Sequence, residues 1–157
     1  MEGNCVKNLS WYISLGISFL GFMVINYYFT LDPTEKVGNL NPAFFLIVLL
    51  VPFLCVSLFI TWSVGVSFFE TATKGKLASA ILIIVVIFIL AGGTEYQYVT
   101  SQIEVFGGTW NDSKSIIYGR SPFNSYTNDW YFNESVFLII HTIAFSLGSL
   151  FRSKVTD

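Results

Sequence analysis

The sequence predicts an all-α integral membrane protein: an up-down-up-down bundle of four transmembrane helices with a long extracytoplasmic loop between helices three and four. Three observations predict this class: 54% of the 157 residues are hydrophobic, only 11% are charged, and the charges avoid four long segments. Soluble domains carry about 25% charged residues, so this chain lacks the polar surface of a soluble protein. Its net charge of −2, without a basic tail, argues against a nucleic-acid partner.

The four segments are free of Asp, Glu, Lys and Arg, and they cover 8–31, 37–69, 77–94 and 135–151. A helix that crosses the hydrocarbon core needs about 20 apolar residues, and lipid offers no partner to an unpaired backbone amide. We therefore predict a single membrane domain, 1–157, with spans near 9–31, 42–66, 76–97 and 131–151 and a loop near 98–130.

Aromatic residues at the ends of these segments support the first two helices. Trp11 and Tyr12 begin the first segment, Tyr27 and Tyr28 end it, and Trp62 lies near the end of the second. Amphipathic rings prefer the headgroup level of a membrane. The first segment is also too long for a signal peptide and lacks a small-residue cleavage site after it, so we expect it to stay on the mature protein.

Small residues recur at helical spacing on three of the four helices. The stripes are Ser10, Ser14, Ser18 and Gly21; Ser57, Thr61 and Gly65; and Thr142, Ser146 and Ser149, beside the pair Ala144 and Gly148. The third helix is bulky except at 78–80 and 91–93. Small residues let transmembrane helices approach closely. The stripes therefore serve packing within the chain, the favoured interpretation, or contact with a partner protein.

The loop between helices three and four is too long and too aromatic for a plain connection. Gly107 and Gly108 indicate a hairpin turn. The loop also holds four large aromatic residues that we interpret as candidate partner-binding residues: Phe106, Trp110, Tyr118 and Tyr126. Because long loops are usually functional or disordered, we expect this one either to cover the mouth of the bundle or to present its aromatic rings to a partner.

The distribution of basic residues predicts the orientation. One set of helix ends carries five of them, Lys7, Lys74, Lys76, Arg152 and Lys154; the opposite set carries three, Lys36, Lys114 and Arg120. Basic residues favour the cytoplasmic side. We therefore expect both termini in the cytoplasm and the protein in the plasma (cell inner) membrane.

Three polar residues inside the predicted spans are candidate functional residues: Asn26, Glu95 and His141. An ionisable residue within a span is a functional-site hypothesis by default. For His141 the simpler alternative is a neutral ring that hydrogen-bonds a helix carbonyl or a serine such as Ser57. Asn26 and Glu95 lie at similar predicted depth, and we expect them to form a small polar cluster.

The sequence favours a non-enzymatic role through protein–protein contacts. It contains no catalytic motif, no metal-ligand set and no cofactor motif, so we predict no enzymatic activity, no metal and no cofactor. The expected role is an accessory subunit of a membrane complex or a protective, immunity-type factor. Its partner would be another membrane protein, a membrane-active toxin or a second copy of the chain. The alternative is a small oligomeric ion or solute channel or transporter that uses Asn26, Glu95 and His141.

Overall fold

The computed structural model describes residues 2–35 and 40–151, with side chains from residue 9 onward. These residues form four α-helices, α1 (Glu2–Phe29), α2 (Ala43–Thr71), α3 (Lys74–Val105) and α4 (Glu134–Leu147), with 3-10 turns at Asn128–Trp130 and Gly148–Phe151. Four basic residues used to predict orientation, Lys7, Lys36, Arg152 and Lys154, lie outside the described side chains. The protein is therefore all-helical over its described part.

Four stretches of the described chain are long and apolar enough to cross a membrane. They are Leu9–Phe29, Ala43–Thr71, Lys74–Val105 and Asn128–Phe151, the last including the short turns that flank α4. Length and hydropathy together identify such segments. The sequence-based assignment to the class of helical membrane proteins is confirmed at this level.

The end of α3 differs from the prediction. The helix continues eight residues past 97, to Val105, because Val99 and Ile103 extend its apolar face and pack against the core of the following segment. Gly107, with φ of 76°, and Gly108, whose N–H donates to the Ile103 carbonyl at 2.9 Å, then close the helix. This is a Schellman C-terminus. The predicted hairpin is wrong, and the described residues contain no strand.

Helices α1 and α2 pack through the predicted small-residue stripes. The Trp11 indole N–H donates to the Thr61 hydroxyl at 2.9 Å, and the Ser18 hydroxyl donates to that of Ser57 at 3.3 Å. Further along α1, a Cβ on Gly21 would lie 2.3 Å from a methyl of Leu50. Later positions of α1 thus contact earlier positions of α2, so the two helices run antiparallel. Ser14, Ser18, Ser57 and Thr61 of the stripes are buried in this contact, whereas Ser10 is exposed.

Helix α4 packs against α2 at an unusually short backbone distance. A Cβ added to Gly65 would lie 2.2 Å from the Phe145 carbonyl oxygen, and one added to Gly148 would lie 2.4 Å from the Val66 nitrogen. Nearer the start of α4, Phe22 and Phe137 form an edge-to-face pair within the main core, with ring centroids 5.4 Å apart. The glycines are needed because only a residue without a Cβ allows this approach.

Residues 106–133, between α3 and α4, form a compact segment that we call the cap. Its core consists of Phe106, Ile117, Tyr126 and Trp130. The cap also bonds to the end of α1 and to the connection that follows it: the Asn128 amide donates to the Phe29 carbonyl at 2.7 Å, and the Leu31 N–H donates to the Ser125 carbonyl at 2.9 Å. The cap is therefore part of the folded structure.

Candidate functional site

A polar cavity of about 260 Å³ lies where α1, α3 and α4 meet beside the cap. Its lining includes Asn26 and Tyr27 from α1, Thr94, Glu95 and Tyr98 from α3, and Asn133, Glu134 and Ser135 at the start of α4. The structure thus brings Asn26 and Glu95 into one cavity, as their predicted depths indicated. His141 does not line it.

Asn133 connects the cavity to the start of α4. Its side-chain oxygen accepts a hydrogen bond from the Val136 N–H at 2.9 Å and caps the helix. Its amide nitrogen donates to Glu95 Oε2 at 2.7 Å and to the Asp129 carbonyl at 2.6 Å. One buried side chain therefore fixes the helix start, the α3 carboxylate and the end of the cap.

Two carboxylates in this region are only partly satisfied. The Tyr98 hydroxyl donates to Asp129 Oδ2, and Asp129 is 4% exposed. Glu95 Oε1 and Asp129 Oδ1 are both buried without a hydrogen-bond partner among the described residues. Buried carboxylate oxygens attract a proton or a cation, since leaving them unpaired is costly. No group of three described His, Cys, Asp and Glu residues is placed to hold a metal ion.

His141 lies in a separate environment in the interior of the bundle. Its Nδ1 is 2.9 Å from the Phe137 carbonyl, and its Nε2 is 3.0 Å from the Ser57 hydroxyl. Because a carbonyl can only accept, Nδ1 carries a proton, and Nε2 of a neutral ring accepts from Ser57. A neutral ring bonded to a helix carbonyl and to Ser57 is the simpler alternative that the sequence offered for His141. Both ring nitrogens are therefore bonded within the chain.

A second, larger cavity of about 690 Å³ is an open groove near the start of α1 and the start of α3, and we call it the α1–α3 groove. Trp11 and Leu15 of α1 face Gly75–Ile87 of α3 across it, and residues of α2 and α4, including Phe68 and His141, form its floor. The groove exists because α3 packs along α4 and makes few contacts with α1 or α2. Its lining is mainly apolar.

The four aromatic residues proposed for partner binding have different surroundings. Phe106 and Tyr126 are buried in the cap core, at 2% and 5% exposure, and Trp110 is half-buried against that core. Tyr118 is 56% exposed. Of the set, Tyr118 has the largest surface available to a partner, while Phe106 and Tyr126 stabilise the cap itself.

Two exposed carboxylates outside the membrane-spanning segments are tied to turns. The Thr109 N–H and hydroxyl donate to Asp112 Oδ2 at 2.7 and 2.9 Å, and they hold the pKa of Asp112 below its usual value of 3.8. The Thr34 hydroxyl and N–H lower the pKa of Asp32 in the same way. Hydrogen bonds to the ionised form stabilise it.

Sequence reasoning missed Tyr98, Asp129 and Asn133, the residues that complete the polar cavity. A signal for Asn133 exists, because an Asn before an apolar helical run is a typical N-cap. Asp129 and Tyr98 are 31 positions apart, and no local pattern indicates their contact. Comparison with protein-family models, known proteins and solved structures finds no match to this chain.

Proposed function

We propose that the four helices cross the plasma (cell inner) membrane as an up-down-up-down bundle, with both termini in the cytoplasm and the cap outside. The contacts support the alternation: Trp11–Thr61 and Gly21–Leu50 fit an antiparallel α1 and α2. Five basic residues on the side of the termini against three on the side of the cap support the orientation.

The function that the geometry supports best is a non-enzymatic one, exerted through contact with another protein inside the membrane. The observation that carries it is the sparse packing of α3. Only 6% of the residues in its most apolar window are buried within the chain, against 22% for α1 and 17% for α2 and the α4 segment. A helix with so little contact to its own chain has a wide face available to a partner.

Two glycines in the second half of this helix have no packing role among the residues that the structure describes. A Cβ on Gly92 or Gly93 would meet nothing within 4 Å, whereas one on Gly65 would collide with the backbone of α4. Glycine within a helix costs about 1 kcal/mol relative to alanine. No close contact among the described residues requires glycine at these two positions. With Leu82, Val85 and Ile89 on the same side, these glycines define what we call the α3 face. Small residues of this kind let a second helix approach.

The partner that fits the α3 face is a transmembrane helix of another membrane protein. The chain then acts as an accessory subunit of a membrane complex, or as a protective factor that holds a membrane-active toxin in an inactive arrangement. A second copy of the chain is the third candidate partner. Lipid tails are as apolar as the helix itself, so close backbone contact, rather than hydrophobicity, would supply the affinity.

The test is co-purification after crosslinking in intact membranes, followed by extraction in a mild detergent. The native chain should recover a stoichiometric partner, and Gly92→Leu and Gly93→Leu should each lose it. Gly16→Leu on α1 is the matched control, because a Cβ there also meets nothing within 4 Å. Recovery of the chain alone, or equal recovery of the partner by all variants, would contradict the proposal.

The polar cavity favours a second candidate, the small oligomeric channel or transporter. Glu95 and Asp129 each have a buried oxygen without a described partner, as expected of a site that holds a passing cation or proton. Protein reconstituted in liposomes should then carry an ion flux that Glu95→Gln abolishes. The control Glu104→Gln, at an exposed position on the same helix, should leave the flux unchanged. His141 is bonded on both nitrogens and lies outside the cavity, so His141→Ala should alter stability more than flux.

A further inference from the structure

The α1–α3 groove has the dimensions of a site for alkyl chains. Its α3 wall runs from Gly75 to Ile87, which is about 18 Å at 1.5 Å per residue. The volume of about 690 Å³ along this length describes a long and narrow groove. The volume itself lies within the range of about 300–1,000 Å³ that is typical of ligand pockets.

The lining of the groove is mainly apolar. Two polar rings at its wall are bonded within the chain: His141 to Ser57 and to the Phe137 carbonyl, and the Trp11 indole N–H to Thr61. Ser79, Thr142 and Lys76 also line the groove, and the rest of its surface is aliphatic and aromatic. Because most of the lining is apolar, a hydrocarbon chain gains dispersion contacts along the length of the groove.

The end of the groove at the start of α3 is positively charged. Lys76 lines it, whereas none of the described residues in the lining is acidic. The first turn of α3 also has no acidic residue and no side-chain cap. Basic pockets between transmembrane helices bind anionic headgroups, so the charge of this groove is complementary to one kind of lipid.

We propose that the α1–α3 groove binds an anionic phospholipid, with an acyl chain along Ser79–Ile87 and the phosphate-bearing headgroup at Lys76. The site is independent of the proposed partner, because the α3 face lies on the opposite side of the same helix. The lipid fills the gap that separates α3 from α1 and so fixes the position of the helix that presents the α3 face.

Native mass spectrometry of the full chain in mild detergent tests this proposal. Phosphatidylglycerol and phosphatidylcholine of equal chain length are added separately. The native chain should retain one phosphatidylglycerol more strongly than phosphatidylcholine. Lys76→Gln should reduce retention of phosphatidylglycerol about fivefold, the effect typical of one basic residue at an anionic membrane surface. It should leave phosphatidylcholine unchanged. Lys114→Gln, an exposed lysine of the cap, is the control and should change neither.

A second variant tests the hydrocarbon part of the site. Ala80→Leu places a larger side chain in the groove and should weaken retention of both lipids, while thermal unfolding checks that the variant is folded. If Ala80→Leu does not fold, Ser79→Leu, one position earlier on the same wall, replaces it. Equal retention of the two lipids by the native chain, an unchanged result for Lys76→Gln, or a photocrosslink from Ser79 to a protein would each overturn the proposal.

Discussion

Substituting Gly65 by alanine should destabilise the protein markedly, although alanine is the better helix former. The added Cβ would lie 2.2 Å from the Phe145 carbonyl oxygen, and ordinary contact begins at 3.4 Å. The neighbour is backbone rather than a flexible side chain, so α2 and α4 must separate by about 1 Å. Gly148 lies at the same crossing, where a Cβ would meet the Val66 nitrogen at 2.4 Å, and offers no room for a compensating shift.

The cost can be worked from the contacts that such a separation disturbs. Overpacking of a tight interface costs about 1–3 kcal/mol. The Phe69–Phe145 and Trp62–Phe151 ring pairs, both with centroids 5.4 Å apart, are worth about 0.5–1.5 kcal/mol each at full strength. Replacing glycine returns about 0.5–1 kcal/mol of backbone entropy. We therefore expect a net loss of about 2–3 kcal/mol in the free energy of unfolding.

Reversible unfolding in mixed detergent micelles, followed by tryptophan fluorescence, measures this difference. Gly93→Ala is the matched control, since a Cβ there meets nothing within 4 Å. It should leave stability unchanged or raise it by up to about 1 kcal/mol through helix propensity. If Gly65→Ala is as stable as the native chain, or if both variants change stability by the same amount, the close α2–α4 crossing is refuted.

Three further predictions concern single contacts. Ser57→Ala removes the hydroxyl that lies 3.0 Å from His141 Nε2. It should lower the free energy of unfolding by about 0.6 kcal/mol and at most about 2 kcal/mol, the range for interhelical hydrogen bonds in membranes. An unfolding titration that shows no loss of stability would contradict the bond. Asn133→Ala removes a helix cap and two hydrogen bonds donated by the side-chain amide, and it should lower the free energy of unfolding by about 2–4 kcal/mol. Asn133→Ser keeps the cap and should cost less. Equal losses in the two variants would mean that the amide bonds to Glu95 and Asp129 do not stabilise the protein. The pKa of Asp112 is lower in the folded state, so its stabilisation of the cap turn is complete above the unfolded pKa of about 3.9 and is lost as pH falls through the folded value. Amide exchange at Thr109 should therefore accelerate on acidification in the native chain but much less in Asp112→Asn, and identical pH profiles would contradict the turn.

The sequence was sufficient to predict four apolar helices and the burial of the central residues of the α1 and α2 stripes. Charge-free segments of this length have one stable form in hydrocarbon, which is helical. The spacing of Ser14, Ser18, Ser57 and Thr61 marks one face on each helix, and all four residues are buried in the structure. The bonds of His141 to a serine and a carbonyl also follow from its depth, since a polar ring in that position needs partners.

The cap and the polar cavity could not be predicted, because they depend on contacts between distant residues. Tyr126 donates to the Glu35 carbonyl across 91 positions, and Asn128 bonds to Asn41 across 87. The pair Gly107–Gly108 has the composition of a hairpin turn. A Schellman helix end also requires a residue with positive φ, so these glycines do not distinguish the two structures. The apolar positions Val99 and Ile103, one turn apart, are a sequence signal for the continuation of α3 that the prediction did not use.

Photocrosslinking from the α3 face in intact membranes tests the central claim most directly. A photoreactive residue is placed at Leu82, 65% exposed on α3, and, as the control, at Phe59, 63% exposed on α2. The account predicts a protein adduct of defined size from position 82 and only lipid adducts from position 59. Lipid adducts alone from position 82, or the same protein adducts from both positions, would contradict the claim that α3 is the helix through which this protein contacts its partner.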